Sequence, residues 1–112
     1  MTRSPSFILV VAILALFIGC QHTSKAKPRK TLLVEAACGQ CQFDQSGSGC
    51  DLAIRIDERV YFVDGSSIDD HGDAHGADGF CNAVRHAQVT GSIEGDRFVT
   101  SSFVILSDEQ DQ

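Results

Sequence analysis

Leu52-Ala-Ile-Arg-Ile-Asp-Glu-Arg-Val-Tyr-Phe-Val-Asp-Gly65 decides the fold. Leu52, Ile54 and Ile56 alternate with Asp51, Arg55 and Asp57, the period of two that lines one face of a half-buried strand with apolar side chains. Asp57-Glu58 is placed to turn the chain, Val60–Val63 is the return strand, and Asp64-Gly65 closes the hairpin. Upstream, Thr31-Leu-Leu-Val-Glu-Ala-Ala37 reads as a first strand ending at Cys38-Gly-Gln-Cys41, and Gln45-Ser-Gly-Ser-Gly-Cys50 is a loop by its Gly and Ser content. Downstream, Ser66–Phe80 is rich in Gly, Asp and His and is expected to be a long loop, with a short helix near Gly79–Val84. Ala87–Ile93 and Arg97–Leu106 then form a second hairpin around Glu94-Gly95-Asp96. The expected fold is mainly β: a small OB-like five-stranded barrel with a loop and short-helix insertion between strands 3 and 4. An open antiparallel sheet or a two-sheet sandwich fits the same pattern.

The N-terminus addresses the chain before any chemistry is considered. Phe7–Ile18 is apolar, follows Arg3, and falls well below the roughly 20 residues of a membrane-spanning helix, so 1–19 reads as a signal peptide. Gly19-Cys20 at its end resembles the lipobox of bacterial lipoproteins, with Phe17 where Leu usually stands and Leu16 one place further back. Cys20 is therefore the expected lipidation site and mature N-terminus. Gln21, rather than Asp, follows the Cys, which in a Gram-negative host resembles the pattern routed to the outer membrane. The expected location is the bacterial cell envelope, lipid-anchored and facing the periplasm from the outer membrane, and the expected state is a monomer.

Charge divides the remainder. Residues 20–30 form a basic tether with Lys25, Lys27, Arg29 and Lys30 and no acid, suited to anionic headgroups or to a plain solvated linker. Residues 31–107 form one small domain and 108–112 an acidic tail. From Thr31 onward only Arg55, Arg59, Arg85 and Arg97 offset all fifteen acids of the chain, a balance that repels phosphate backbones and disfavours nucleic acid.

Once Cys20 is set aside, Cys38, Cys41, Cys50 and Cys81 remain and support three readings. The first is a disulfide framework, usual for an even cysteine count in an exported small domain. The second is a metal site. Cys38-x-x-Cys41 has the spacing with which two thiolates grip one ion, and Cys50 with Cys81 or a histidine would complete a tetrahedral set. Asp69, Asp70, His71, Asp73, His75 and Asp78 add imidazoles and a supporting acidic loop. His71 and His75 stand at i, i+4 if that segment is helical, and Asp69, His71, Asp73 and His75 share a face if it is extended. Thiolate and imidazole favour zinc or copper, whereas Ala74 and Phe80 occupy the Gly and Glu positions a calcium loop needs. A Gly-rich polar loop of this kind is also what solvated turns with Asx caps look like. The third reading is thiol redox chemistry, against which stands the loop-like context of Gln42–Gly49, since a lowered thiol pKa calls for a helix N-terminus after a strand. His86 reads as a surface residue. No nucleophile elbow, P-loop or dinucleotide fingerprint is present.

Val34-Glu-Ala-Ala-Cys-Gly-Gln-Cys-Gln-Phe43, Gly49-Cys-Asp-Leu-Ala-Ile-Arg-Ile-Asp57, Tyr61-Phe-Val-Asp-Gly65, Ile68-Asp-Asp-His-Gly-Asp-Ala-His-Gly76 and Gly79-Phe-Cys-Asn-Ala83 together resemble a family of small bacterial envelope proteins of unknown function. The resemblance spans nearly the whole domain and implies no activity. The Gly-Cys entry to the second strand and the closing Val89-Thr-Gly-Ser-Ile-Glu-Gly-Asp-Arg-Phe-Val99 also look like other small OB-like bacterial lipoproteins. The leading expectation is a non-catalytic zinc or copper module, and its rival is a disulfide-stapled interaction domain whose acidic face meets a basic protein or peptidoglycan-associated partner.

Overall fold

The computed structural model describes residue 19 and residues 27–107. Cys20, the apolar run before it, most of the tether and the tail 108–112 lie outside the described residues. Among the described residues no helix is long and apolar enough to cross a membrane.

Five strands close into a barrel: β1 (Lys30–Cys38), β2 (Leu52–Ile56), β3 (Arg59–Asp64), β4 (Arg85–Glu94) and β5 (Arg97–Ile105), in the order β1-β2-β3-β5-β4 with β4 returning to β1. The expected OB-like architecture is the observed one. Every neighbouring pair is antiparallel except β3 and β5, which run parallel with Val63 opposite Phe98. That pairing joins the two hairpins and leaves no open edge for another chain to extend.

The β2–β3 turn is made by Asp57 and Glu58, both with positive φ, as a two-residue turn matched to strand twist requires. The opposite hairpin bends at a bulge between Thr90 and Gly91. A side chain at Gly91 would meet the Val99 carbonyl oxygen at 2.1 Å, so only glycine lets β5 approach there.

Inward-facing Val34, Ala36, Leu52, Ile54, Tyr61, Val63, Ala87, Val89 and Phe98 fill the barrel, as strand alternation demands. The alternation fails at one place, where Ala37 and Ala53 are buried beside their inward-facing neighbours. They pair across β1 and β2 and lie under Phe43 in a second apolar cluster on the outer wall, flanked by Val60 and Phe62. The segment after β1 folds back over this wall, so the barrel is covered there on both faces.

The β3–β4 insertion plugs one end of the barrel with Ile68, Ala74 and Phe80. Its helical turn differs from the expectation. A 3-10 helix, η1 (Ile68–His71), forms near the start of the insertion, where Ser67 and Asp70 make a reciprocal capping box. Gly79–Val84 instead contains a single closed turn, with the N–H groups of Asn82 and Ala83 both donating to the Gly79 carbonyl. The turn does not propagate because Arg85 already belongs to β4.

Candidate metal centre

All four cysteine sulfurs converge, although they come from three separate segments of a 44-residue span. Cys38 ends β1, and a one-turn helix, α1 (Gly39–Gln42), begins at the next residue. The expectation of a simple strand end and loop after Cys38 is thus corrected: Cys38 caps α1, and the N–H groups of Phe43 and Gln45 fold back onto the Gly39 carbonyl to close the turn. Four residues are too few to leave a periodic signal. The turn places Cys41 beside Cys38, with the Cys41 N–H donating to Cys38 Sγ at 3.3 Å.

The two glutamines of Cys38-Gly-Gln-Cys-Gln42 bring in the other cysteines. The Gln40 side chain clasps Asp51, next to Cys50, through Nε2 to the carboxylate at 2.6 Å and through Oε1 to the Asp51 N–H at 3.0 Å. Gln42 Nε2 donates to the Cys81 carbonyl at 2.8 Å. Backbone bonds parallel these clasps: the Gly39 N–H donates to the Asp51 carbonyl and the Cys38 N–H to the Phe80 carbonyl, each at 2.9 Å. Cys81 is further held by its own N–H to the Ala74 carbonyl at 2.9 Å, and Asn82 Nδ2 braces the loop on the His75 and Gly76 carbonyls. Gln40, Gln42 and Asn82 escaped the reading of the sequence; the signal available was an amide side chain directly beside Cys41 and Cys81.

The four Sγ atoms lie within 4.8 Å of one another, and among the described residues they are the group of His, Cys, Asp or Glu donors gathered closely enough to hold an ion. Cys41 Sγ and Cys50 Sγ are 3.8 Å apart. Four thiolates about 2.3 Å from a tetrahedral zinc ion stand about 3.8 Å from each other, so this edge already has the dimension of the coordinated state. All four cysteines are free; Cys38 is buried, Cys81 half-buried, and Cys41 and Cys50 exposed.

Thiol acidity is unevenly shared. Burial opposes ionisation of Cys38, yet hydrogen bonds from the Cys41 thiol and N–H, with smaller ones from Cys50 and the Gln40 backbone, hold its pKa below the ordinary thiol value. Cys41 is pushed up, chiefly by its hydrogen bond to Cys38, and burial raises Cys81 to about 11. Cys38 thus ionises ahead of Cys41 and Cys81, and its charge resists ionisation of those two neighbours. A divalent cation reverses that resistance, since metal binding draws the remaining thiols into the thiolate form.

The histidines and acids of the insertion lie elsewhere. His71 is half-buried, 2.7 Å from Ser66 Oγ through Nε2, and packs against Phe103 and Phe80 with ring centroids 4.7 and 5.8 Å away. His75 is exposed, and the helix ends at His71, so the i, i+4 geometry does not form. Asp70 accepts from the Ser67 N–H and Asp73 from the His75 N–H, while Asp69 and Asp78 are exposed. Asp70 and Asp73 thus cap and turn the loop that carries Cys81.

A five-stranded OB-like barrel with a four-cysteine cluster at one strand end is the class defined by fold and site. Within it, residues 32–106 match a family model described as a family of unknown function, DUF6370, and the chain belongs to that family. Neither a curated protein nor a solved structure matches the chain.

Proposed function

We propose that the chain is a non-catalytic metal-binding module that holds one zinc ion through Cys38, Cys41, Cys50 and Cys81. The observation that carries this reading is the convergence of the four sulfurs. A disulfide framework needs only pairs of sulfurs, whereas here a single cluster of tetrahedral dimensions is assembled from β1, α1, the 45–50 loop and the insertion. Four thiolates in tetrahedral array select zinc over copper(II), which prefers planar nitrogen and oxygen sets, and over calcium or magnesium. The Cys41 N–H on Cys38 Sγ offsets part of the negative charge that such a centre carries.

The ion would tie the insertion and the 45–50 loop to the barrel wall, which suits a domain of this size with a limited core. Redox catalysis is disfavoured by access: Cys38, the thiol held below its ordinary pKa, is 0% exposed, so a substrate disulfide cannot reach it in line. Mass spectrometry of the protein purified without chelator separates the readings. One retained zinc under native conditions and four alkylatable thiols after denaturation support the centre; a metal-free chain lighter by four hydrogens refutes it.

The same proposal places this module in the bacterial envelope, on a lipid carried by Cys20. The support is the apolar run closed by Gly19-Cys20 and the contrast between the basic tether and the acidic domain. Metabolic labelling with a palmitate analogue should mark the protein, and Cys20→Ser should abolish both the label and membrane recovery; label persisting in that variant contradicts the anchor.

A further inference from the structure

We propose that Cys41 and Cys50 are a peroxide-reactive pair whose oxidation to a disulfide expels the ion from the centre. The proposal rests on the four-thiolate reading and adds a modification to it. Three observations single out this pair. Cys41 and Cys50 are the exposed members of the cluster, while Cys38 is buried and Cys81 half-buried, so a small hydroperoxide meets these two sulfurs first. They are already 3.8 Å apart. Finally, residues 46–50 are all exposed and include Gly47 and Gly49, so the small approach that a sulfur–sulfur bond requires is absorbed by a loop rather than by the barrel. Cys38 is fixed at the end of β1 by its N–H to Phe80, and Cys81 by its bonds to Ala74 and Gln42.

The chemistry balances with the hydroperoxide as the only oxidant. One thiol of the pair attacks the peroxide oxygen, giving a sulfenic acid and one water. The second thiol then displaces the sulfenic oxygen, which leaves as a second water, and the sulfur–sulfur bond forms. The two cysteines lose two electrons and hydrogen peroxide gains them. Cys38 and Cys81 alone are half of a tetrahedral set and cannot retain zinc against competing ligands. The backbone clasps that assemble the site do not involve these sulfurs, so the barrel stays folded while the ion leaves.

The test titrates the full zinc-loaded chain with hydrogen peroxide, follows zinc with a chromogenic chelator, and maps cysteines by mass spectrometry. Cleavage before Asp44 and Asp51 separates Cys50 from the peptide bearing Cys38 and Cys41, and fragmentation across Gly39-Gln40 tells those two apart. The expected result is loss of one zinc per peroxide consumed, a Cys41–Cys50 linkage, and an unchanged far-UV circular dichroism spectrum. Linkage of Cys38 to Cys41 or of Cys50 to Cys81, or zinc retained after the pair is oxidised, overturns the proposal while leaving the centre in place. The metal-free reduced chain is treated in parallel, because the same linkage there, in a chain that never takes up zinc, upholds the reactive pair and refutes the four-thiolate reading. Cys50→Ser and Cys41→Ser should each lose the linkage, and in at least one of them the remaining member should still be oxidised, to a dimedone-reactive sulfenic acid or to a linkage with a neighbouring cysteine of the cluster; a free thiol at the remaining member in both variants counts against the pair.

Discussion

Gly79→Ala tests whether the insertion is built to deliver Cys81. A methyl group at Gly79 would stand 2.3 Å from the carbonyl oxygens of both Asp73 and Ala74, against an ordinary contact of at least 3.4 Å. The obstruction is backbone on both sides, so no side-chain rotation relieves it, and the turn must shift by about 1 Å. The Ala74 carbonyl also accepts the Cys81 N–H, so the shift breaks that bond and moves Cys81 away from the other sulfurs. Overpacking costs about 1–3 kcal/mol and the lost hydrogen bond about 1 kcal/mol, so the metal-free domain should lose about 2–4 kcal/mol. Displacing one ligand should in addition weaken zinc binding about 10–100-fold, the usual effect of disturbing groups that orient a metal ligand. Urea unfolding in chelator reads the first quantity and zinc competition reads the second. Gly95→Ala is the control: its methyl group meets nothing within 4 Å, but φ is +65°, so it should cost about 1 kcal/mol in backbone strain and leave zinc affinity unchanged. If Gly79→Ala stays within about 0.5 kcal/mol of the parent with the same zinc affinity, the account of the insertion is wrong.

Other outcomes follow from the same geometry. Gln42→Ala removes the clasp on the Cys81 carbonyl and should lower zinc affinity about 10-fold with little change in the metal-free fold; an unchanged dissociation constant contradicts the clasp. Cys41 is raised and Cys81 stands at about 11, so both are protonated near neutrality and zinc must displace at least these two protons. Affinity should therefore rise with pH, by about 100-fold per unit between pH 6 and 8, and a flat profile in a chelator competition refutes thiolate ligation. Phe98→Ala opens the centre of the barrel, where Phe98 is 1% exposed. It should cost about 3–5 kcal/mol, enough to leave the metal-free chain largely unfolded by circular dichroism; a fully cooperative, stable variant would contradict the core assignment.

The strands were legible because four of the five carry alternation or a turn residue that local chemistry explains. Leu52, Ile54 and Tyr61 face inward as their period implies, and Glu94-Gly95-Asp96 turns the second hairpin. Other features have no local signal. The parallel contact of β3 with β5 joins residues more than thirty positions apart, and burial of Ala37 and Ala53 on the outer wall depends on Phe43 folding back over them. The capping pattern at Ser67–Asp70 was present in the sequence, yet the helical turn was expected at Gly79–Val84, where Gly79 serves close backbone packing instead. For the site, the four cysteines were legible as a set by count and by the Cys38-x-x-Cys41 spacing. Their meeting point was not, because Gln40 and Gln42 act across 11 and 39 residues. His71 looked like a ligand by proximity in sequence, whereas Phe80 and Phe103 occupy its ring and Ser66 its nitrogen.

X-ray absorption at the zinc edge, on protein purified from cells without added metal, tests the central claim most directly. A four-thiolate centre predicts one zinc per chain with four sulfur neighbours at about 2.3 Å and no imidazole scattering. Nitrogen or oxygen neighbours in place of any sulfur, or a chain that retains no zinc, would contradict it.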